Sequence, residues 1–522
     1  MPVMQQGAIN TTALIVPDLY VQIVPPQTLL LNGVPTDVLG VVGTASWGPV
    51  GEPTLLGTMG DYARSFGAVM PRKYDMGTQV ATAVQQGAGN FVCVRVTDGT
   101  DTAASLTVLG GITFTALYTG SLGTQLSLTF SAGSAVSSWR LTVSLPGISP
   151  EIFDNISGAG SSFWTNLANA VNYGNGPLRG PSQLVVATTL SGATMPVAGV
   201  FAFAAGTPGS DGAGGVTAAA LVGSDSLPRS GMYALRSQGC AIALLADADD
   251  PTQWSVQTAF GLSESVYMIL TAPAGDTIAN AVTTKAEAGV DSYAAKLMFG
   301  DWVYWSDQAN ALIRLVSPQG FVAGRLANLS PEQSSLNKPL YGVIGTQKSG
   351  EPGAGTTTTY ATADLSTLLS AGIDVIANPQ PGGSYWGVRG GHNSSSNAAT
   401  NGDNYTRLTN YIASTLASGM GAYVGQLVNA SLFQNIRATL LAFLNGLLSQ
   451  GMLGGTTNAL PFAVVCDASN NPPSRTGLGY VQADVQVQYQ AINEMFIVNI
   501  EGGQTVQVQT QVLPNSPGAL AS

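Results

Sequence analysis

Three aspartates in the run LLADADDP, Asp247, Asp249 and Asp250, and one histidine, His392, are the residues whose type and placement could do chemistry in this chain. Carboxylates crowded just beyond a buried apolar strand can hold Mg²⁺ or Ca²⁺, which take oxygen ligands, and strand carboxyl ends are where α/β folds keep their ligands. The same aspartates can cap the helix expected at TQWSVQTAFG. With no clear second set of ligands elsewhere, capping and turn formation are the expected roles. His392 heads the polar stretch in YWGVRGGHNSSSN. Acid–base work near neutral pH and activated Ser or Cys nucleophiles rest most often on a histidine held by a second group. A single histidine in such a loop predicts a solvated residue and no triad.

Other chemical motifs fail on inspection. The chain has no Gly-Lys dipeptide and therefore no Walker A phosphate loop. Glycine clusters such as GAGSS and GSDGAGG lack the strand-to-helix context of a dinucleotide site and read as flexible connections. The aromatics of FGDWVYW (299–305) have no basic groove beside them, so core or interface packing is expected of them. Catalytic residues, metal ligands and cofactors are each expected to be none, and the chain is not expected to be an enzyme.

The surface explains more than any motif. Lys and Arg number 18 and Asp and Glu 29, together 9% of 522 residues, against about 25% in an average soluble protein. Gly, Ser, Thr, Asn and Gln replace charge, a pattern that suits a subunit covered by copies of itself, and equally a secreted or capsid-like protein. The net charge of -11, with no basic run, argues against nucleic acid. No apolar stretch reaches the roughly 18 to 20 residues of a membrane span, and the N-terminus lacks the pattern of a signal peptide. Cys93, Cys240 and Cys466 form no CxxC pair and read as reduced core residues.

The elements that would position these residues read as follows. VLGVVGTA, FVCVRV, CAIALLAD, SVYMILTA and GIDVIAN are continuous apolar runs, as in strands buried on both faces. Helical patterns at DYARSFG, GTQVATAVQQGA, DTIANAVTTKAEA and ADLSTLLSAG alternate with them and predict a parallel α/β sheet. Residues 101–206 change to short alternating segments with one helix at FWTNLANAVN, a mostly β insertion closed by the low-complexity GTPGSDGAGG. GGHNSSSNAATNGDN (390–404) reads as a polar linker. Beyond it, Leu432, Phe433, Ile436, Leu440, Phe443, Leu444 and Leu447 recur at helical spacing, with Gly451 placed to stop the helix. The fold class expected is α/β and α+β multidomain: an N-terminal arm (1–24), a discontinuous α/β domain (21–100 and 207–400), the inserted β-rich domain (101–206), a C-terminal α+β domain (401–502) and a C-terminal arm (503–522).

The closing arm poses a problem of its own. In GQTVQVQTQVLPN, Val506, Val508, Thr510 and Val512 line one face of an uncharged strand with no Lys, Pro or bulge within it to guard its edge. Either its own chain covers it or pairing with another chain is its purpose.

The ordered segments resemble the contractile tail sheath family of tailed phages and related injection machines. GVVGTASWGPVGEPTLLGTMGDYARSFG is similar to the family's first strand, Gly-Pro turn and following helix, and GTQVATAVQQGAGNFVCVRV to its next helix and strand. LSTLLSAGIDVIANPQPGGSYWGVRGG, RLTNYIASTL, RATLLAFLNGLLSQGML, PFAVVCDASNN and YVQADVQVQYQAINEMFIVNI resemble the approach to the C-terminal domain and that domain itself. Two departures stand out: the family's PGVYVEE is PDLYVQI here, and charges are far fewer. The resemblance implies a structural subunit polymerising as stacked hexameric rings around a tail tube, contracting when a baseplate triggers it, in a virion tail assembled in the host cytoplasm. It implies partners in other copies of itself, the tail tube protein, and baseplate and terminator proteins, with no nucleic acid and no membrane insertion. It further implies strand exchange between subunits through Leu19, Tyr20, Val21 and Ile23 at one end and Val506, Val508, Thr510 and Val512 at the other. The tube contact is expected on the C-terminal helices at Arg437, Gln434, Asn445 and Arg407. The competing readings are a hydrolase built on the α/β domain and a secreted or surface β-rich adhesin or glycan-binding protein.

Overall fold

The computed structural model describes residues 3–6, 20–23, 31–177, 179–353, 358–455 and 459–500. The chain divides into two units, Met1–Gln490 and Ala491–Ser522.

The centre of the first unit is a seven-stranded sheet. Its strands run in the order Ile373–Asp374, Ala295–Met298, Tyr267–Thr271, Ile242–Leu245, Leu39–Gly43, Phe91–Arg95 and Thr54–Leu56. All neighbours are parallel except the last pair, in which Thr54–Leu56 runs antiparallel to Phe91–Arg95. Because successive side chains point to opposite faces, the apolar runs fill two cores at once. Leu39, Val41, Phe91, Cys93, Ile242, Leu244 and Ile269 face one core, against the helices Met59–Phe66, Met76–Gln85 and Gln319–Ala327. Val42, Val92, Val94, Ala243, Leu245, Met268 and Leu270 face the other, against Trp254–Glu264, Ile278–Glu287 and Thr362–Ser370. A Thr58–Asp61 capping box starts the first of these helices, and Asp75 caps the second. Helix Gln319–Ala327 lies close on Met76–Gln85 because Gly324 leaves room: a Cβ there would stand 2.4 Å from the Ala83 Cα.

GIDVIAN, expected as one strand, is two. Ile373–Asp374 ends the large sheet, while Ile376–Ala377 pairs with Gly387–Val388. The break falls at Val375, just after Asp374, whose carboxylate belongs to a buried ionic cluster described below.

Residues 104–203 build a separate core around helix Ser161–Tyr173 and two antiparallel sheets, one of four strands and one of three. Trp47, expected only as part of a turn, is inserted into that core and meets Tyr118 edge-on at 5.5 Å. The two ends of the insertion are zipped by antiparallel bridges, Thr102 with Ser210 and Ser105 with Thr207. Arg95, fully buried, adds hydrogen bonds to the carbonyls of Gly48, Thr119 and Asp211.

Toward the C-terminus, helices Asp403–Gly419 and Ala430–Ser449 pack with the two-stranded antiparallel sheet Phe462–Val465 and Asp484–Val487. Leu432, Ile436, Leu440, Phe443, Leu444 and Leu447 are buried, and Gly451 follows with φ of +75°. The stretch 390–404 is not a solvated linker. Asn393 and Ser394 are buried, with Asn393 donating to Thr400 O and Thr406 Oγ1 and Ser394 Oγ accepting from Leu297 N. Its polar groups satisfy one another and the strand ends, which permits burial despite their polarity.

In the second unit the described residues 491–500 have no regular secondary structure. Met495, Phe496, Ile497, Val498 and Ile500 are each 61 to 88% exposed.

Candidate functional site

In a parallel sheet the place to look for chemistry is the switch point, where neighbouring strands send their connections opposite ways. Here it lies between Leu39–Gly43 and Ile242–Leu245. Just beyond the second strand sits Asp247, buried and with φ of +51°. Its carboxylate accepts from Gln79 Nε2 at 2.9 Å and Tyr74 N at 3.2 Å, and its own N–H donates to Gln319 Oε1 at 3.0 Å. Gln319 Nε2 continues to Ile269 O, Gln79 Nε2 reaches Ser317 Oγ, and Gly320 N returns to Gln79 Oε1. The crevice is thus filled by two fully buried glutamines bonded to everything around them. Burial pushes the Asp247 carboxyl up.

The neighbouring aspartates face elsewhere. Asp249 pairs with Lys73 at 2.8 Å, and Asp250 accepts from Thr252 N and Oγ1 ahead of helix Trp254–Glu264. The three carboxylates do not converge, and no metal-ligand cluster occurs among the described residues. His392 is half-buried, not solvated: its N–H donates to Asp374 and its carbonyl accepts from Lys296. No described helix is long and apolar enough to cross a membrane. The three cysteines are buried and unbridged, and the aromatics Phe299, Trp302 and Trp305 are packed inside.

A second polar cluster went unread in the sequence. Lys296, fully buried in the strand Ala295–Met298, gives its three N–H bonds to Asp374 Oδ2 (2.7 Å), His392 O (2.8 Å) and Asp403 Oδ1 (3.0 Å). Asp403 also accepts from Tyr267 OH at 2.6 Å and from Ser335 N and Oγ. Burial alone lowers the Lys296 pKa, but the two carboxylates outweigh it and the net shift is upward; burial raises Asp403, and Lys296, Ser335 and Tyr267 together bring it below the usual range. The lone charge inside YAAKLMFG was the available signal, since a charge in a two-sided buried strand needs a partner.

Of the residues expected at the tube, Gln434, Arg437 and Asn445 share the exposed side of helix Ala430–Ser449. Arg407 does not join them. It is buried, donating to the carbonyls of Leu329 (2.7 Å), Ser330 (2.9 Å) and Thr36 (3.4 Å), and burial lowers its pKa to about 10. It therefore staples loops within the subunit, a role that helical position alone did not reveal.

Of the residues expected in strand exchange, Tyr20, Val21 and Ile23 lie in a strand, Tyr20–Ile23, paired in parallel with Val3–Gln6 of the same chain. Leu19, Val506, Val508, Thr510 and Val512 lie outside the described residues. Among the described residues, the sheet of Phe462–Val465 and Asp484–Val487 has no third strand, so each strand offers an edge.

The architecture has counterparts among solved structures. The sheath tail protein of Desulfitobacterium hafniense superposes with a TM-score of 0.58 at 16% identity, covering 86% of this chain and 93% of that one. The sheath tail protein of Listeria innocua gives 0.58 at 14%, covering 84% and 90%. The helical sheath of the anti-feeding prophage in its contracted state gives 0.55 at 13%, covering 94% and 100%. The fold is that of contractile sheath proteins. No family model matches the sequence, and no curated protein does.

Proposed function

We propose that this chain is the subunit of a contractile sheath, polymerising as stacked hexameric rings around a tail tube and shortening to drive the tube through a host envelope. The observation that carries the reading is the exposure of Met495, Phe496, Ile497, Val498 and Ile500, in a chain that also holds a two-stranded sheet with open edges. Apolar side chains exposed along a segment are stabilised when a partner covers them, and each strand of the two-stranded sheet keeps one edge open to a further strand. Donor and acceptor in one chain favour strand addition from copy to copy. The expected exchange through Val506, Val508, Thr510 and Val512 would extend the same donor, with Tyr20–Ile23 the counterpart at the other end.

Contraction then requires two packings of folded subunits that differ in interface. At about 25 cal/mol per Å² of apolar surface, about 200 Å² gained per subunit is about 5 kcal/mol before entropic and polar costs. Summed over many subunits this does mechanical work without nucleotide. The tube is met by Gln434, Arg437 and Asn445; baseplate and terminator proteins cap the ends, and the particle is a virion tail or a related injection device.

The test is negative-stain electron microscopy of the purified full chain, alone and with its tube, beside a variant ending at Gln490. Hollow helical tubes from the full chain only are expected. Tubes from the truncated chain would remove strand exchange, and discrete particles from the full chain even with the tube would remove the sheath reading.

A further inference from the structure

Among the described side chains the fold closes nearly all the sulfur to solvent. Cys93, Cys240 and Cys466 are buried, and burial pushes each thiol up, which withholds the thiolate that oxidants attack. Met76, Met232, Met268 and Met298 are fully buried, and the other methionines with described side chains are half-buried apart from one. That one is Met495, 84% exposed, at the head of the apolar run MFIVNI.

Exposure decides what this sulfur can undergo. Hydrogen peroxide oxidises an accessible thioether in one step: a sulfur lone pair attacks one peroxide oxygen, the O–O bond breaks and an S–O bond forms. The other oxygen leaves as water with both protons, so the sulfur loses two electrons and the peroxide gains them. The product carries a polar oxygen where an apolar side chain stood, and it is reversible by methionine sulfoxide reductases. Covering such a group without supplying a hydrogen-bond donor costs free energy.

We propose that Met495 is an oxidation site that gates assembly, its sulfoxide withholding the run Met495–Ile500 from a neighbouring copy. In a free chain the sulfur is open to oxidant, and beneath a neighbour it is covered. Oxidation therefore acts on unassembled copies and spares assembled ones, and reduction returns an oxidised copy to the assembling pool. The inference rests on the donor role proposed above for Met495–Ile500 and adds a chemical switch to it.

The experiment treats the full chain with dilute hydrogen peroxide, free and assembled, and follows each methionine by peptide mass spectrometry. In the free chain Met495 should gain oxygen at least about tenfold faster than Met232 or Met268, and in tubes its rate should fall by a similar factor. The oxidised chain should form no tubes and regain them after treatment with the reductase. Met495→Leu, a swap of similar volume, is compared with itself before and after peroxide and should lose no assembly; where that variant builds no tubes, the reductase rescue decides. A free-chain rate at Met495 no faster than at Met232 overturns the site. Tubes from a chain verified as the Met495 sulfoxide overturn the gate alone, as does a Met495 rate undiminished in tubes, or equal loss of assembly in oxidised Met495→Leu. An untreated chain that builds no tubes even with its tail tube removes the sheath reading and the gate with it, while the free-chain rates still decide the site.

Discussion

Asp403, the first residue of helix Asp403–Gly419, stands 3.0 Å from the Nζ of Lys296 in the second strand from one edge of the central sheet, and neither side chain has any exposed surface. This pair, with Asp374, ties the C-terminal helices to the α/β core. A buried ion pair adds little net stability compared with apolar packing, but removing one partner strands the other charge. Asp403→Ala should therefore cost about 3–5 kcal/mol, read as a lowered urea midpoint. Asp403→Asn, which keeps the shape and part of the hydrogen bonding, should cost less; equal losses would mean the site is held by packing and not by charge.

Asp75 provides a pH test. Burial pushes its carboxyl up to about 7 from an ordinary value of 3.8. A carboxyl that holds its proton more firmly when folded makes folding proton-coupled between roughly pH 4 and 7, so its contribution rises as pH falls through that window. It changes by up to about 1.4 kcal/mol per pH unit for one proton. Asp247, also shifted up by burial, acts in the same sense, so the useful comparison is with Asp75→Asn. The unaltered chain should lose more stability than this variant between pH 5.5 and 8.5, measured by urea unfolding. Parallel losses would show that Asp75 remains ionised.

Trp47, four residues beyond the strand Leu39–Gly43, is buried in the core of the insertion. Truncating a fully buried tryptophan typically costs about 3–5 kcal/mol. Trp47→Ala should open the insertion to limited proteolysis between residues 104 and 203 before the central sheet is cut. Simultaneous cleavage of both regions would place the two in one cooperative unit.

These contrasts indicate how much the sequence held. Strands such as FVCVRV and SVYMILTA were legible because two-sided burial demands unbroken apolar runs, and the helix from Ala430 to Ser449 because its apolar residues keep a helical period. The polar parts were not. Asn393 and Ser394 look like solvated linker until Leu297, Thr400 and Thr406 are seen to meet them. Arg407 looks like a surface charge until the carbonyls of Leu329 and Ser330 appear around it. Hydrogen-bond partners brought together by the fold, such as Leu297 with Ser394 or Leu329 with Arg407, leave no local pattern, whereas burial of apolar side chains does. The exposure of Met495–Ile500 likewise leaves no mark in the sequence, where MFIVNI reads like any buried apolar run.

That run gives the clearest separation of assembly from folding. Phe496 and Val498 are 82% and 61% exposed, so little of either side chain is buried within the subunit. Replacing both by aspartate should leave the thermal midpoint within about 1 °C, since surface changes away from special features stay within roughly ±0.5 kcal/mol. In a polymer the same two positions would be buried beneath a neighbour, where two unpaired carboxylates are costly enough to prevent pairing. The double variant Phe496→Asp, Val498→Asp is therefore expected to fold normally and remain unpolymerised by sedimentation and microscopy, under conditions where the unaltered chain forms tubes. It should also compete poorly as an added donor strand. Normal tubes from the double variant would show that Met495–Ile500 stays in solvent after assembly, and the donor would then have to be sought elsewhere in the chain.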